Sequence, residues 1–168
     1  MKEVTVNNKM KLSEHYSLGE LTKTKHVTAD GNIPSRVAIE NLKRICENWL
    51  EDLRYSYNTL YCLEPGEDYE TSKNVEPLVI NSGYRSPAVN KLAGGAAGSN
   101  HLTGCAVDIR CTGKEQMIRY ASILLDIADG TKQDFDELLL EQHGSVCWLH
   151  FAVRPKDNRR KVLLVCAH

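Results

Sequence analysis

The chain has 168 residues, 42% of them hydrophobic and 26% charged, a composition that supports one globular domain with a core of its own. Its 21 Lys and Arg against 22 Asp and Glu leave a net charge of -1, so there is no basic excess to recruit nucleic acid. No apolar run approaches transmembrane length, which excludes a spanning helix and leaves a soluble monomer as the expectation.

In chain order, Met1 to Met10 carries no apolar segment of the kind a secretion signal needs. Pro34 followed by Ser35 predicts the start of a long helix whose apolar face is Val37, Ile39, Leu42, Ile45, Cys46, Trp49 and Leu53, with Trp49 in the core. The charged stretch Leu63 to Glu70, with Pro65 and Gly66 inside it, predicts a loop, either solvated or lining a groove, before a strand at Leu78-Val79-Ile80. Leu92 to Ser99 is a glycine-rich loop and not a phosphate cradle, because no Lys-Ser/Thr follows its glycines.

Ala106 to Ile109 then reads as a short strand entered through Gly104, and Lys114 to Ala128 as a second amphipathic helix closing at Gly130. Met117, Tyr120, Ala121, Leu124 and Ile127 form the apolar side of that helix. Phe135 to Gln142 predicts a strand, His143-Gly144-Ser145 a turn, and Cys147 to Val153 the antiparallel return. A basic turn, Asp157 to Lys161, precedes an edge strand at Val162 to Val165. There is no internal repeat and no low-complexity tract.

Chemistry concentrates in Ser99-Asn100-His101-Leu102-Thr103-Gly104-Cys105-Ala106-Val107-Asp108 and in Trp148-Leu149-His150-Phe151. Singly, Asp108 reads as a turn or edge-strand residue and His150 as a hydrogen-bonded core histidine. Together, in apolar strands where an unpaired polar side chain is costly, they read better as ligands. With His101 they supply two imidazoles and a carboxylate, the open three-ligand set of a zinc ion that does chemistry. Calcium fits poorly, since it takes six or more oxygens.

The six cysteines, Cys46, Cys62, Cys105, Cys111, Cys147 and Cys166, contain no CxxC pair and read as free thiols filling the core. Cys105, Cys111 and Cys147 lie near the candidate ligands, but alternation along a strand turns Cys105 and Cys147 to the face opposite Asp108 and His150.

The run Ile80-Asn81-Ser82-Gly83-Tyr84-Arg85-Ser86-Pro87, then Asn90-Lys91, Gly94-Gly95, Ser99-x-His101-x-x-Gly104-x-Ala106-x-Asp108 and Trp148-x-His150, together resemble the zinc D-Ala-D-Ala carboxypeptidase-like peptidases. These form the M15 class, which shares the Hedgehog/DD-peptidase fold and cuts bacterial cell-wall peptides. The resemblance runs from about Lys11 to about Val153, with Leu12 to Thr22 similar to the opening segment of one branch. It implies His101, Asp108 and His150 as zinc ligands, Arg85 as a cation beside the substrate carbonyl or carboxylate, and a peptidoglycan peptide as substrate. Ser99 would either bond substrate or orient a ligand, with a loop-capping role as the alternative.

One position departs from the class. Many relatives place a general-base carboxylate three residues before the last histidine, where this chain has Cys147, and a neutral thiol is a poor proton shuttle. The preceding strand offers Glu141, also similar to a glutamate in the nearest branch. If Glu141 pairs opposite Trp148, it lies on the His150 face as a diagonal neighbour, roughly 7–8 Å away at the backbone. A one-residue slip would turn it to solvent. His143 is a reserve, though an exposed turn histidine is the simpler view.

The expectation is a single α+β domain over residues 1–168, Hedgehog/DD-peptidase-like, with an antiparallel sheet carrying the site and helices on its other face. The function expected is zinc-dependent hydrolysis of an amide bond in peptidoglycan stem peptides or cross-links, by Arg85 and Glu141. A catalytically silent, zinc-containing wall-binding or structural module is the alternative. With no leader read in the chain, a phage-type enzyme released from the cytoplasm to the wall, or a periplasmic or extracellular protein trimmed of its leader, would meet that substrate.

Overall fold

The computed structural model describes residues 7–167, so the reading of Met1 to Met10 falls largely on residues outside it. Among the described residues no helix is long and apolar enough to cross a membrane. The chain opens on a short helix, α1 (Leu18–Thr22), started by a reciprocal capping box between Ser17 and Glu20. Leu12, Tyr16, Leu18 and Leu21 are all buried, which fixes this opening segment to the core.

Ser35 caps α2 (Arg36–Ile45) through its side chain on the Ala38 amide, as the Pro-Ser pair predicts. The helix does not end at Leu53. It passes through a π-helical turn, Cys46–Leu50, into α3 (Glu51–Tyr61). That turn widens the helix by one residue and rotates its inner face, so Trp49, Leu50, Leu53 and Tyr57 all stay buried. Val37, expected on the apolar face, is 63% exposed, and Ala38 takes the inner place.

The strands are β1 (Ile80–Ser82), β2 (Ala106–Cys111), β3 (Glu137–His143), β4 (Val146–Ala152) and β5 (Lys161–Ala167), in sheet order β1-β2-β4-β3-β5. Two further helices are α4 (Pro87–Leu92) and α5 (Lys114–Thr131). Helix α5 runs past Gly130 and stops where Lys132 turns left-handed, at φ 56°. Val107, Ile109, Leu138, Leu149 and Phe151 point from one sheet face into the core, where Trp49 packs edge-on against Phe151 at 5.0 Å between centroids. Helix α5 adds Met117, Tyr120 and Leu124 to the same cluster.

The sheet is mixed, not antiparallel throughout. β1, β2, β4 and β3 pair antiparallel, but β5 lies parallel to β3, with Glu137 beside Lys161. β4 ends beside the start of β3, and the chain crosses that end to reach the free side of β3. The Arg160 and Lys161 amides donate to the Phe135 and Asp136 carbonyls there, so β5 must set out in the direction of β3. As expected, β5 is an edge strand.

A 3₁₀ turn, Asn100–Thr103, stands over the other face of the sheet and is closed by Gly104 in the left-handed region, at φ 70°. A Cβ at Gly104 would lie 2.3 Å from the Ala38 carbonyl oxygen, and backbone on both sides leaves nothing flexible to give way. Gly104→Ala is therefore expected to destabilise the fold by at least about 1–3 kcal/mol, read as a lowered urea midpoint with an unchanged slope.

Candidate metal centre

Asp108 and His150 are direct cross-strand partners of β2 and β4. The Val153 amide donates to the Cys105 carbonyl, so alternation along the ladder puts Asp108 and His150 at a non-hydrogen-bonded pair, where side chains approach most closely. His101 comes from the 3₁₀ turn above them. Its Nδ1–H donates to the Gly83 carbonyl at 2.6 Å, which leaves Nε2 facing Asp108 Oδ1 at 3.3 Å. Gly83 passes close to the end of α1, where a Cβ would lie 2.3 Å from the Leu21 carbonyl oxygen.

His150 completes the group. Its Nδ1 is 2.9 Å from Asp108 Oδ1 and its Nε2 is 3.2 Å from Glu137 Oε2. One donor atom from each of His101, Asp108 and His150 lies within 4.8 Å of the others, and all three residues are buried. Burial alone would raise the Asp108 carboxyl, but the imidazoles of His101 and His150 hold it well below the usual carboxylate range. Burial likewise opposes charge on His150, yet hydrogen bonds to Asp108 and Glu137 raise it to about 9. Two imidazole nitrogens and a carboxylate are the donor types that zinc takes.

Behind this cluster lies a polar network that the sequence did not disclose. Asn100 Nδ2 donates to Asp136 Oδ2 at 2.8 Å and to Glu137 Oε2 at 3.2 Å. Arg159, expected in a basic turn, grips Asp136 with Nε and Nη2 at 2.8 and 2.7 Å and reaches Glu137 Oε1 at 2.8 Å. The hydrogen bond from His150, helped by Arg159 and Asn100, holds the Glu137 carboxyl down at about 2. Glu137 was within reach of the sequence, since it shares a strand face with Glu141. The register pairs His150 with Leu139, so Glu137 and Glu141 flank it as diagonal neighbours on either side.

The remaining predicted residues divide clearly. Arg85 donates from Nη2 to Asp108 Oδ2 at 2.7 Å and from Nε to Ser82 Oγ at 2.9 Å, so it belongs to the cluster and is no surface turn arginine. Ser99 caps the 3₁₀ turn, its Oγ accepting from the His101 amide at 3.3 Å, and also lines the cleft. Glu141 pairs with Trp148 in the expected register. Its half-buried carboxylate makes no hydrogen bond or ion pair among the described residues, and burial raises it above the ordinary value. These groups share a cleft of about 720 Å³ with Leu139, Trp148, the Gly94-Gly95-Ala96 loop and the three clustered residues.

His143 ends β3, exposed and away from the cleft. Cys111 and Cys147 face the core, Cys105 is buried beside the Thr103 carbonyl, and all six cysteines are free. The Leu63 to Glu70 loop does not line the cleft.

Residues 66–136 match the family model described as Peptidase M15. The match contains Arg85, His101 and Asp108, bears out the resemblance in the sequence and supports a peptidase. Glu137, Glu141 and His150 lie beyond it and enter the site on geometry. No curated protein matches the chain.

Proposed function

We propose that this M15-type chain is a zinc-dependent peptidase that hydrolyses an amide bond in peptidoglycan stem peptides or cross-links. The observation that carries the reading is a buried His101–Asp108–His150 cluster in a cleft that also holds Arg85 and Glu141, whose carboxylate has no partner among the described residues. A zinc ion held by the three residues supplies a Lewis acid for the scissile carbonyl and a water of lowered pKa as nucleophile.

The chain's own groups do the rest. Arg85 uses Nε and Nη2 on Ser82 and Asp108, and its remaining N–H donors serve a substrate carbonyl oxygen or terminal carboxylate. The Ser99 hydroxyl accepts from the His101 amide and keeps its own O–H for substrate. Glu141 takes a proton from the attacking water and returns it to the departing amine as the C–N bond breaks. Glu137, already bound to His150, Asn100 and Arg159, is a positioning residue that fixes the imidazole.

The deciding experiment is elemental analysis of wild type beside His150→Ala, followed by incubation with purified peptidoglycan and mass spectrometry of released peptides. About one zinc per chain, lost in the variant together with peptide release, is the expected result. Zinc without release from wild type would assign a wall-binding or structural module instead, and wild type without zinc would overturn the reading. Removing the positioning carboxylate in Glu137→Ala is expected to weaken zinc binding about 10- to 100-fold, measured by competition with a chromophoric chelator.

A further inference from the structure

A second cavity of about 610 Å³ adjoins the metal cleft and shares Asn81, Ser82, Arg85 and Ala93 with it. It runs along β1, the edge strand, on the far side of Arg85 from the ligands. Its charge is one-sided: Lys23, Lys25 and Arg110 line it with His26, and no Asp or Glu does. Overall composition does not explain this, because the chain is nearly neutral at -1. Nor do internal ion pairs, since Lys23, Lys25 and Arg110 have no carboxylate partner among the described residues. The metal cleft is different, with Asp108, Glu137 and Glu141 set among its arginines.

We propose that this second cavity binds a carboxylate-bearing part of the peptide whose scissile bond lies at the metal centre, so that Lys23, Lys25 and Arg110 select acidic substrates. The inference rests on the peptidase reading of the adjoining cleft. A peptide crossing Arg85 leaves a region where negative charge already sits and enters one where only cations face it. Val89 and Leu92 give the cavity an apolar wall for the intervening side chains. Several cations converging on one concavity attract an anion from a distance that a lone surface lysine does not, and salt screens the attraction.

The test is a titration of the full-length, isotope-labelled protein, followed by backbone amide resonances. The probes are an end-capped tetrapeptide containing one glutamate, the same peptide with glutamine in its place, and inorganic phosphate. The acidic peptide is expected to shift the amides of Lys23 to His26 and Arg110 and to bind roughly three- to tenfold tighter than its neutral counterpart at low salt. In the triple variant Lys23→Gln, Lys25→Gln, Arg110→Gln the preference should vanish while zinc content stays at the wild-type level. Equal affinity for the two peptides, or a preference that survives in the triple variant, would overturn the proposal. Phosphate moving the same amides as tightly as the acidic peptide would also overturn it, in favour of a phosphoester ligand. Because the readout is binding and not turnover, absence of hydrolysis would sink the reading of the metal centre without altering this result.

Discussion

Glu141→Gln is expected to slow release of peptides from peptidoglycan by about 10²–10⁴-fold, the usual contribution of a positioned proton shuttle, with zinc content unchanged. The substitution keeps the shape of the side chain and removes only its ability to take a proton. Two carboxylates flank His150, and their surroundings separate them. Glu137 is saturated by His150, Arg159 and Asn100 and held at about 2, so it is too weak a base and already engaged. Glu141 is half-buried, its carboxylate has no partner among the described residues, and burial pushes it upward, in the cleft that holds His101, Asp108 and His150. The isosteric change breaks no hydrogen bond, so the thermal midpoint should hold as well. Wild-type turnover in Glu141→Gln would remove it from the mechanism. A loss of turnover that followed zinc content would make it a binding residue instead.

Periodicity made much of this legible, and its limits explain the rest. Strand alternation set Cys147 opposite His150, and it put Glu141 on the His150 face on the condition that Glu141 pairs with Trp148, which is the register that the short turn at Gly144-Ser145 produces. The same alternation applies to Glu137, but a sequence pattern says which face a residue takes and not which partner claims it. Arg159 shows this most plainly. It sits in what looks like a solvated basic turn, and only the crossing of the chain over the end of β3 brings it to Asp136. The parallel pairing of β5 is not legible for the same reason, since edge-strand character is visible in Val162 to Val165 while the side of the sheet it joins is set by a tertiary contact. The π-helical turn at Cys46–Leu50 was hidden because its apolar residues still satisfy a helical repeat on each side.

Asp136→Ala is expected to cost about 1–3 kcal/mol of stability, because it removes a buried carboxylate that accepts charged hydrogen bonds and leaves the Asn100 amide without that partner. Asp136 is 0% exposed. It receives Arg159 through two parallel bonds, the Arg154 Nε at 3.1 Å and the Asn100 side chain at 2.8 Å. Burial by itself would raise this carboxyl, yet the hydrogen bonds from Arg159 and Asn100 hold it at about 2, against 3.8 when unperturbed. A folded-state value below the unfolded one means stabilisation that is complete above pH 4 and is lost as pH falls toward about 2. Asp136→Asn should therefore show a smaller loss than Asp136→Ala at neutral pH, and the gap between wild type and Asp136→Asn should close as the buffer is taken from pH 5 toward about 2. Urea melts at each pH measure both effects. The damage should also reach the metal centre, since Asn100 and Arg159 bridge Asp136 to Glu137, and Glu137 holds His150. A variant with wild-type stability at neutral pH would show that the arginines find other partners and that the network serves the site alone.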